Sequence, residues 1–194
     1  MVKNEIQAQR MRSFFIDSAK NFIKSEGLAS ISARNVAENA GYSYATIYNH
    51  FKDLKELVFI CAAEFLEELK NEAEKAAADK KGAEAVKEML WASLKYFMQY
   101  TGVYELIFIE RMSANGFNRG LHERITGFFP ELIDSYWAKL TEEKNWPSEE
   151  SIEKKLVLLN WFYGIMLMYL NRISPREFAD FKLNFDKQIN RLIS

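Results

Sequence analysis

Apolar residues recur at three- and four-residue steps along most of the chain, and no stretch alternates with period two long enough to make a strand. The spacing of Phe15, Ile16, Ala19, Phe22 and Ile23 predicts a first helix over residues 6–25, stopped by Gly27. Ser32 as N-cap, with Val36, Ala37 and Ala40 facing inward, predicts a short second helix over 33–40, ended by Gly41. Ser43 can cap a third helix to about His50, with Ile47 and Phe51 inward. A fourth starts near Asp53 and runs to about Asp79. Its first half carries Leu54, Leu57, Val58, Cys61, Phe65 and Leu69, whereas the Ala-rich, charged NEAEKAAADKK reads as a solvated connector closed by Gly82. Further helices are expected near 83–100, 103–113, 118–143, 149–172 and 175–193. Pro130 makes the third of these either kinked or two helices. Ser174, Pro175 and Glu177 supply an N-cap, a first-turn proline and a capping box for the last.

Composition narrows the class. With 48% hydrophobic and 27% charged residues in 194, the chain is too apolar to be disordered, and three prolines and eight glycines suit long helices. The single Cys61 excludes an intrachain disulfide and fits a reducing compartment. The polar MVKNEIQAQR lacks the apolar core of an export signal. The most apolar run, Leu156 to Leu170, is broken by Asn160 and Gly164 and falls short of the roughly 20 residues that span a bilayer. A buried helix, a cytoplasmic location and no membrane partner are the expectation. Enzyme signals are missing: two histidines and one cysteine make no ordinary zinc cluster, and neither a GK[ST] phosphate loop nor a GxSxG elbow occurs. No catalytic residue, metal or cofactor is expected.

Charge is uneven. Of 26 Lys/Arg and 27 Asp/Glu, seven and four lie in residues 1–52, leaving a basic head on an acidic body. The informative unit lies in that head, at 33–50, where two short helices flank Gly41. A helix from Ser43 to His50 is too short to stand alone and must be held by packing of Ile47 and Phe51. Its other face displays Tyr44, Ala45, Thr46, Tyr48, Asn49 and His50, small or polar-tipped residues with no acid among them, a surface suited to base edges in a major groove. A tight helical corner within a bundle has the same spacing.

The run FIDSAKNFIKSEGLASISARNVAENAGYSYATIYNHFKDLKEL, residues 15–57, closely resembles the N-terminal domain of the tetracycline-repressor (TetR) family. The likeness rests on Phe22-Ile23, Gly27, Ser32, Arg34, Val36-Ala37, Ala40-Gly41, Ser43, Thr46-Ile47-Tyr48, His50-Phe51 and Glu56-Leu57, in ungapped order. It implies an all-α protein of about nine helices: a three-helix helix-turn-helix DNA-binding domain, residues 1–54, and a helical effector-binding and dimerisation domain, residues 55–194. It further implies a ligand-responsive regulator, most readily a repressor released from a near-palindromic double-stranded DNA operator by a small effector. By the same resemblance Arg34 reaches a base or phosphate, Tyr44, Ala45 and Thr46 face the groove, and Tyr48 and His50 hold phosphates, with Ser32, Ser43 and Asn49 beside them. Ala45 stands where the family usually has glycine. Leu54 replaces a phosphate-binding lysine, for which Lys52 or Lys55 can substitute. Lys3, Arg10 and Arg12 are expected in a mobile arm that either meets DNA or is solvated.

Beyond residue 83 nothing specific is matched, but the physics is legible. Leu156–Leu170 is apolar almost all round, and Phe178, Phe181, Phe185, Ile189 and Leu192 form a stripe on the last helix. Together with Trp161 and Gly164 they are the expected interface of a homodimer. Tyr96, Phe97, Tyr100, Tyr104 and Phe108 are candidates to line a cavity for a mostly apolar effector, with Met112, Phe117, His122, Trp137, Trp161 and Met166. Plain core is the competing reading for each. A dimeric small-molecule-binding protein and an architectural DNA binder are the alternatives on the same fold.

Overall fold

The structure, a computed structural model, describes residues 2–109, 119–175 and 177–194, the side chains of residues 2–5, 119, 121 and 122 excepted. Among the described residues there are ten α-helical segments and no strand. In order they are α1 (Val2–Glu26), α2 (Ala33–Asn39), α3 (Tyr44–Ile47), α4 (Leu54–Ala77) and α5 (Gly82–Gln99). Then follow α6 (Thr101–Tyr104), α7 (Arg119–Leu132), α8 (Asp134–Lys144), α9 (Ser148–Leu170) and α10 (Phe178–Leu192). A π-helical turn, Glu105–Ile109, continues α6. The all-helical plan is thus realised, with 118–143 divided in two. Pro130 stays inside α7, and the break falls three residues beyond it, at Ile133.

Packing separates two compact units, Met1–Glu67 with Gln99–Ile125 and Glu68–Met98 with Thr126–Ser194. This is a different kind of cut from the division expected at residue 54, since α4 starts there and contributes residues to both.

In the first unit, Phe15, Ala19 and Ile23 of α1 are buried with Val36, Ala37, Ile47, Phe51 and Leu57. Phe15 is the hub, with the rings of Tyr42, His50 and Phe51 at 5.4, 5.7 and 6.3 Å. The buried Ser18 hydroxyl donates to the Val36 carbonyl at 2.9 Å and ties α2 to α1. Burial, reinforced by nearby Glu64, pushes the Cys61 thiol pKa up to about 12. A Cβ on Gly102 would lie 2.2 Å from the Ile23 carbonyl oxygen and 2.8 Å from Gly27 Cα, so α6 meets the end of α1 at a distance only glycine permits. Because α1 begins at Val2, Arg10 and Arg12 belong to a helix and not to a mobile arm.

In the second unit α5 is buried along most of its length. The second half of α4 is mostly solvent-exposed, as expected, except along one line where Ala73 and Ala77 continue from Leu69 at four-residue steps and are fully buried. The Trp137 indole N–H donates to Ser151 Oγ at 3.0 Å, and that oxygen is 2.6 Å from Thr141 Oγ1, joining α8 to α9. The last helix starts at Phe178, later than its sequence signals indicate. Glu177 is extended (ψ 137°) and takes the N-cap position, leaving Ser174 and Pro175 outside. Arg172 closes α9 at φ 55°.

Candidate nucleic-acid interface

The helical corner is built from caps and one left-handed residue. The Ser32 side chain accepts from Asn35 N–H at 3.1 Å, starting α2 as expected. At its end Gly41, at φ 80°, lets Gly41 N–H bond the Glu38 carbonyl (3.1 Å) and Tyr42 N–H the Ala37 carbonyl (2.9 Å). This double closure is the Schellman arrangement, and it aims the chain into α3. Ser43 occupies the N-cap position of α3 but does not cap it through its side chain; its hydroxyl lies 2.9 Å from that of Thr46. The expected third helix is shorter than drawn. One α-helical turn, Tyr44–Ile47, is continued to Phe51 by Asn49 N–H to Thr46, and by His50 and Phe51 N–H to Ile47.

That turn is anchored from below by Ile47 and Phe51, both buried. Its outer side carries Tyr44 and Tyr48, 59% and 50% exposed, with rings 6.4 Å apart and edge-on. Ala45, Asn49, Lys52 and Lys55 are exposed beside them, and Thr46 is partly so. No acid occurs from Ser43 to Lys52. Arg34 stands out from the start of α2, 3.5 Å from Glu38 one turn on. Most of the DNA-contact candidates are therefore solvent-exposed, with Tyr44 and Tyr48 side by side. His50 differs: its half-buried ring packs on Phe15, and its carbonyl accepts from Arg12.

Sequence reasoning missed how the α3–α4 junction is held. Asp53 Oδ1 accepts from Glu56 N–H at 2.9 Å, and Glu56 Oε2 accepts from Lys52 N–H at 2.7 Å. The D-x-x-E spacing signals this. Arg12, with its guanidinium 4.4 Å from the Phe51 ring centroid and 3.4 Å from Glu56, is likewise an internal tie, not part of an arm.

The effector candidates are dispersed. In the first unit Tyr104 is buried with its ring 5.7 Å from Phe108, and Lys24 lies over the Tyr100 ring. In the second, the Tyr96 hydroxyl donates to Glu68 at 2.9 Å, and Trp137 and Met166 are buried. Met112 and Phe117, and the side chain of His122, lie outside the described residues, as does that of Lys3. A groove of about 360 Å³ in the second unit is lined by Ala83, Glu84, Lys87, Lys144, Asn190, Ile193 and Ser194 and holds none of the candidates. Among the described residues no group of three His, Cys, Asp or Glu side chains is placed to hold a metal, and no helix is long and apolar enough to cross a membrane.

The interface expectation needs correction. Phe181, Phe185 and Ile189 are 0% exposed within the single chain. Trp91 of α5 takes Phe181 and Phe185 at 6.2 and 5.0 Å, and Phe181 stacks on Tyr169 at 3.8 Å. They are protomer core. Trp161, half-buried, packs on Phe185 at 5.4 Å. The apolar surface left outside includes Ile152, Leu156, Val157, Leu167 and Met168 on α9, beside exposed Gly164, with Phe178 and Leu183 on α10.

Comparison with known proteins agrees with this geometry. Residues 15–59 match the family described as bacterial regulatory proteins, tetR family. A TetR family transcription regulator from Marinobacter aquaeolei superposes with a TM-score of 0.62 at 14% identity, over 98% of this chain and 97% of its own. The TetR-family repressor FadR from Thermus thermophilus, in complex with lauroyl-CoA, gives 0.64 at 14% identity over 94% and 93%. RolR, in complex with its ligand resorcinol, gives 0.68 at 16% identity over 97% and 89%. These identities establish the fold, and the motif match covers the corner that carries Tyr44 to Lys55. The N-terminal segment thus matches the tetR family of bacterial regulatory proteins over residues 15–59, and the chain as a whole has the fold of the TetR-family regulators it superposes on.

Proposed function

We propose that the chain is a homodimeric repressor that reads a near-palindromic operator and is released from it by a small, mostly apolar effector. Residues 1–54 are the reading domain, and residues 55–194 bind effector and partner. The observation that carries the reading is the acid-free outer face of residues 43–52, anchored from beneath by Ile47 and Phe51. In a major groove, Tyr44, Ala45 and Thr46 would meet base edges. Arg34, Tyr48, His50, Lys52 and Lys55 would meet phosphates, with Ser32, Ser43 and Asn49 assisting. Lys52 and Lys55 supply the charge absent at Leu54.

The exposed apolar row from Leu156 to Leu167, with Phe178 and Leu183, supports pairing with a second copy. Two reading turns related by a two-fold axis then require half-sites about one helical turn apart or more. The effector class rests on the aromatic candidates Tyr96, Tyr100, Tyr104 and Phe108. It is supported by resorcinol and lauroyl-CoA in two proteins of the same fold. Release follows if the effector favours the state whose two turns are misplaced for DNA.

Selection of duplexes from a random pool tests the reading. The wild-type chain should enrich an inverted repeat and weaken steeply as salt rises. Tyr44→Ala should lose about 1–3 kcal/mol of discrimination at one position per half-site. An unchanged preference would remove Tyr44 from the reading surface.

A further inference from the structure

Arg12 lies on α1, 38 and 44 residues before its two bonding partners, yet its side chain is spent on the reading turn. One guanidinium N–H donates to the His50 carbonyl, the group lies over the Phe51 ring, and its other arm reaches Glu56. The His50 carbonyl belongs to the last turn after α3, where a cation meets the negative end of the peptide dipoles. Glu56 carries the tie onward, accepting from Lys52 N–H while its own N–H bonds Asp53. One guanidinium therefore joins α1 to both sides of the α3–α4 junction.

We propose that Arg12 is a positioning residue for DNA binding: with Glu56 it clasps residues 48–55 in the arrangement that presents Tyr48, Lys52 and Lys55, without itself meeting a phosphate. The inference rests on the DNA reading proposed above and adds what holds the reading turn in place. Beyond Ile47 the backbone–backbone hydrogen bonds before α4 are turn bonds, with the buried Phe51 ring and the Glu56 carboxylate as the other holds on the segment. If the unclasped segment adopts the binding arrangement about a tenth of the time, the apparent affinity falls about tenfold.

The opposite charges of the two partners give the test its sign. Glu56 is an anion beside a surface that meets phosphates, so electrostatics alone predicts tighter binding when it is neutralised. The clasp predicts weaker binding. The full-length wild-type chain, Arg12→Gln, Glu56→Gln and the double variant would be titrated against the duplex that the wild type selects from a random pool, over a range of salt, with thermal unfolding followed in parallel. Each single variant is expected to bind about tenfold more weakly, and the double scarcely worse than either, since both break one clasp. The log–log salt slope should keep its wild-type value. Tighter or unchanged binding by E56Q overturns the proposal, as does a slope reduced by about 0.9 in R12Q, the signature of a lost phosphate contact. A lowered melting temperature with unchanged affinity also overturns it, because a merely structural tie behaves so. Should R12Q fail to fold, E56Q carries the test alone, since its amide oxygen still accepts from Lys52. A wild-type chain that selects no duplex overturns the DNA reading itself, so the two failures are distinct.

Discussion

Gly102→Ala isolates the tightest approach in the first unit. The added methyl would sit 2.2 Å from the Ile23 carbonyl oxygen and 2.8 Å from Gly27 Cα, both backbone atoms that cannot rotate away. Ordinary contact begins near 3.4 Å, so α6 and the end of α1 would have to separate by more than 1 Å. Overpacking of this kind costs about 1–3 kcal/mol. Opposing it, alanine is favoured over glycine in a helix by about 1 kcal/mol, partly through the unfolded chain. With so short an approach the clash belongs at the upper end of that range, leaving a net loss of about 2 kcal/mol, or roughly 4–8 °C in melting temperature for a chain of this size. Gly164→Ala is the control within the protomer, because a Cβ there meets nothing within 4 Å. Chemical denaturation of both variants checks the balance, with Gly164→Ala followed at concentrations where the chain is monomeric. A Gly102→Ala chain as stable as wild type, with an unchanged denaturant slope, would mean that α6 is free to move off α1.

The distinction between protomer core and dimer surface is open to a paired test. Phe185→Ala should cost about 3–5 kcal/mol of stability, as a filled aromatic core position does; Leu156→Asp should leave monomer stability within about 0.5 kcal/mol and abolish dimers in light scattering. Stable dimers of Leu156→Asp would mean that α9 pairs through another face. For Cys61 the sign follows from its raised pKa: the unfolded thiol ionises from about pH 9.0, the native one not until about 12, so the unfolded state binds fewer protons in that window. Stability is therefore present below pH 9 and falls above it by up to about 1.4 kcal/mol per pH unit. Cys61→Ala should flatten that decline relative to wild type; parallel profiles from pH 8 to about pH 10.5 would contradict the assignment.

What the sequence disclosed and what it withheld divide along a physical line. Ser32, Gly41, Ile47 and Phe51 were legible because a cap, a left-handed turn and a three- or four-residue spacing act within one or two turns of chain. The start of α10 was not. Pro175 and Glu177 form a sound local signal, but Phe178, Phe181 and Phe185 close on Trp91, and the helix begins where that packing does. The same stripe read equally well as interface, since periodicity reveals that a face is buried and not what buries it. Arg172, at φ 55°, ends α9 without the glycine or asparagine that normally marks such a position. The internal role of Arg12 had no local signature, its partners lying across the fold.

The charge balance of the head shows why composition is a poor guide to an electrostatic surface. Residues 1–52 hold seven bases against four acids, which suggests a cationic face for phosphates. Arg12, Lys20 and Arg34 among them already lie near a carboxylate, at 3.4 Å from Glu56, 2.8 Å from Glu64 and 3.5 Å from Glu38 respectively. They are not equivalent. Arg34 is largely exposed and its helix-surface pair contributes little, so a phosphate can displace Glu38 at small cost. Lys20 is mostly covered, its ammonium also lying 5.7 Å from the Phe65 ring centroid, and it is committed to the core margin. Lys52 and Lys55 sit instead at the edge of the reading turn. On the proposed reading, few cations per protomer would act on DNA, and the hydroxyl and amide tips of Tyr44, Thr46, Tyr48 and Asn49 would supply a correspondingly large share of the binding.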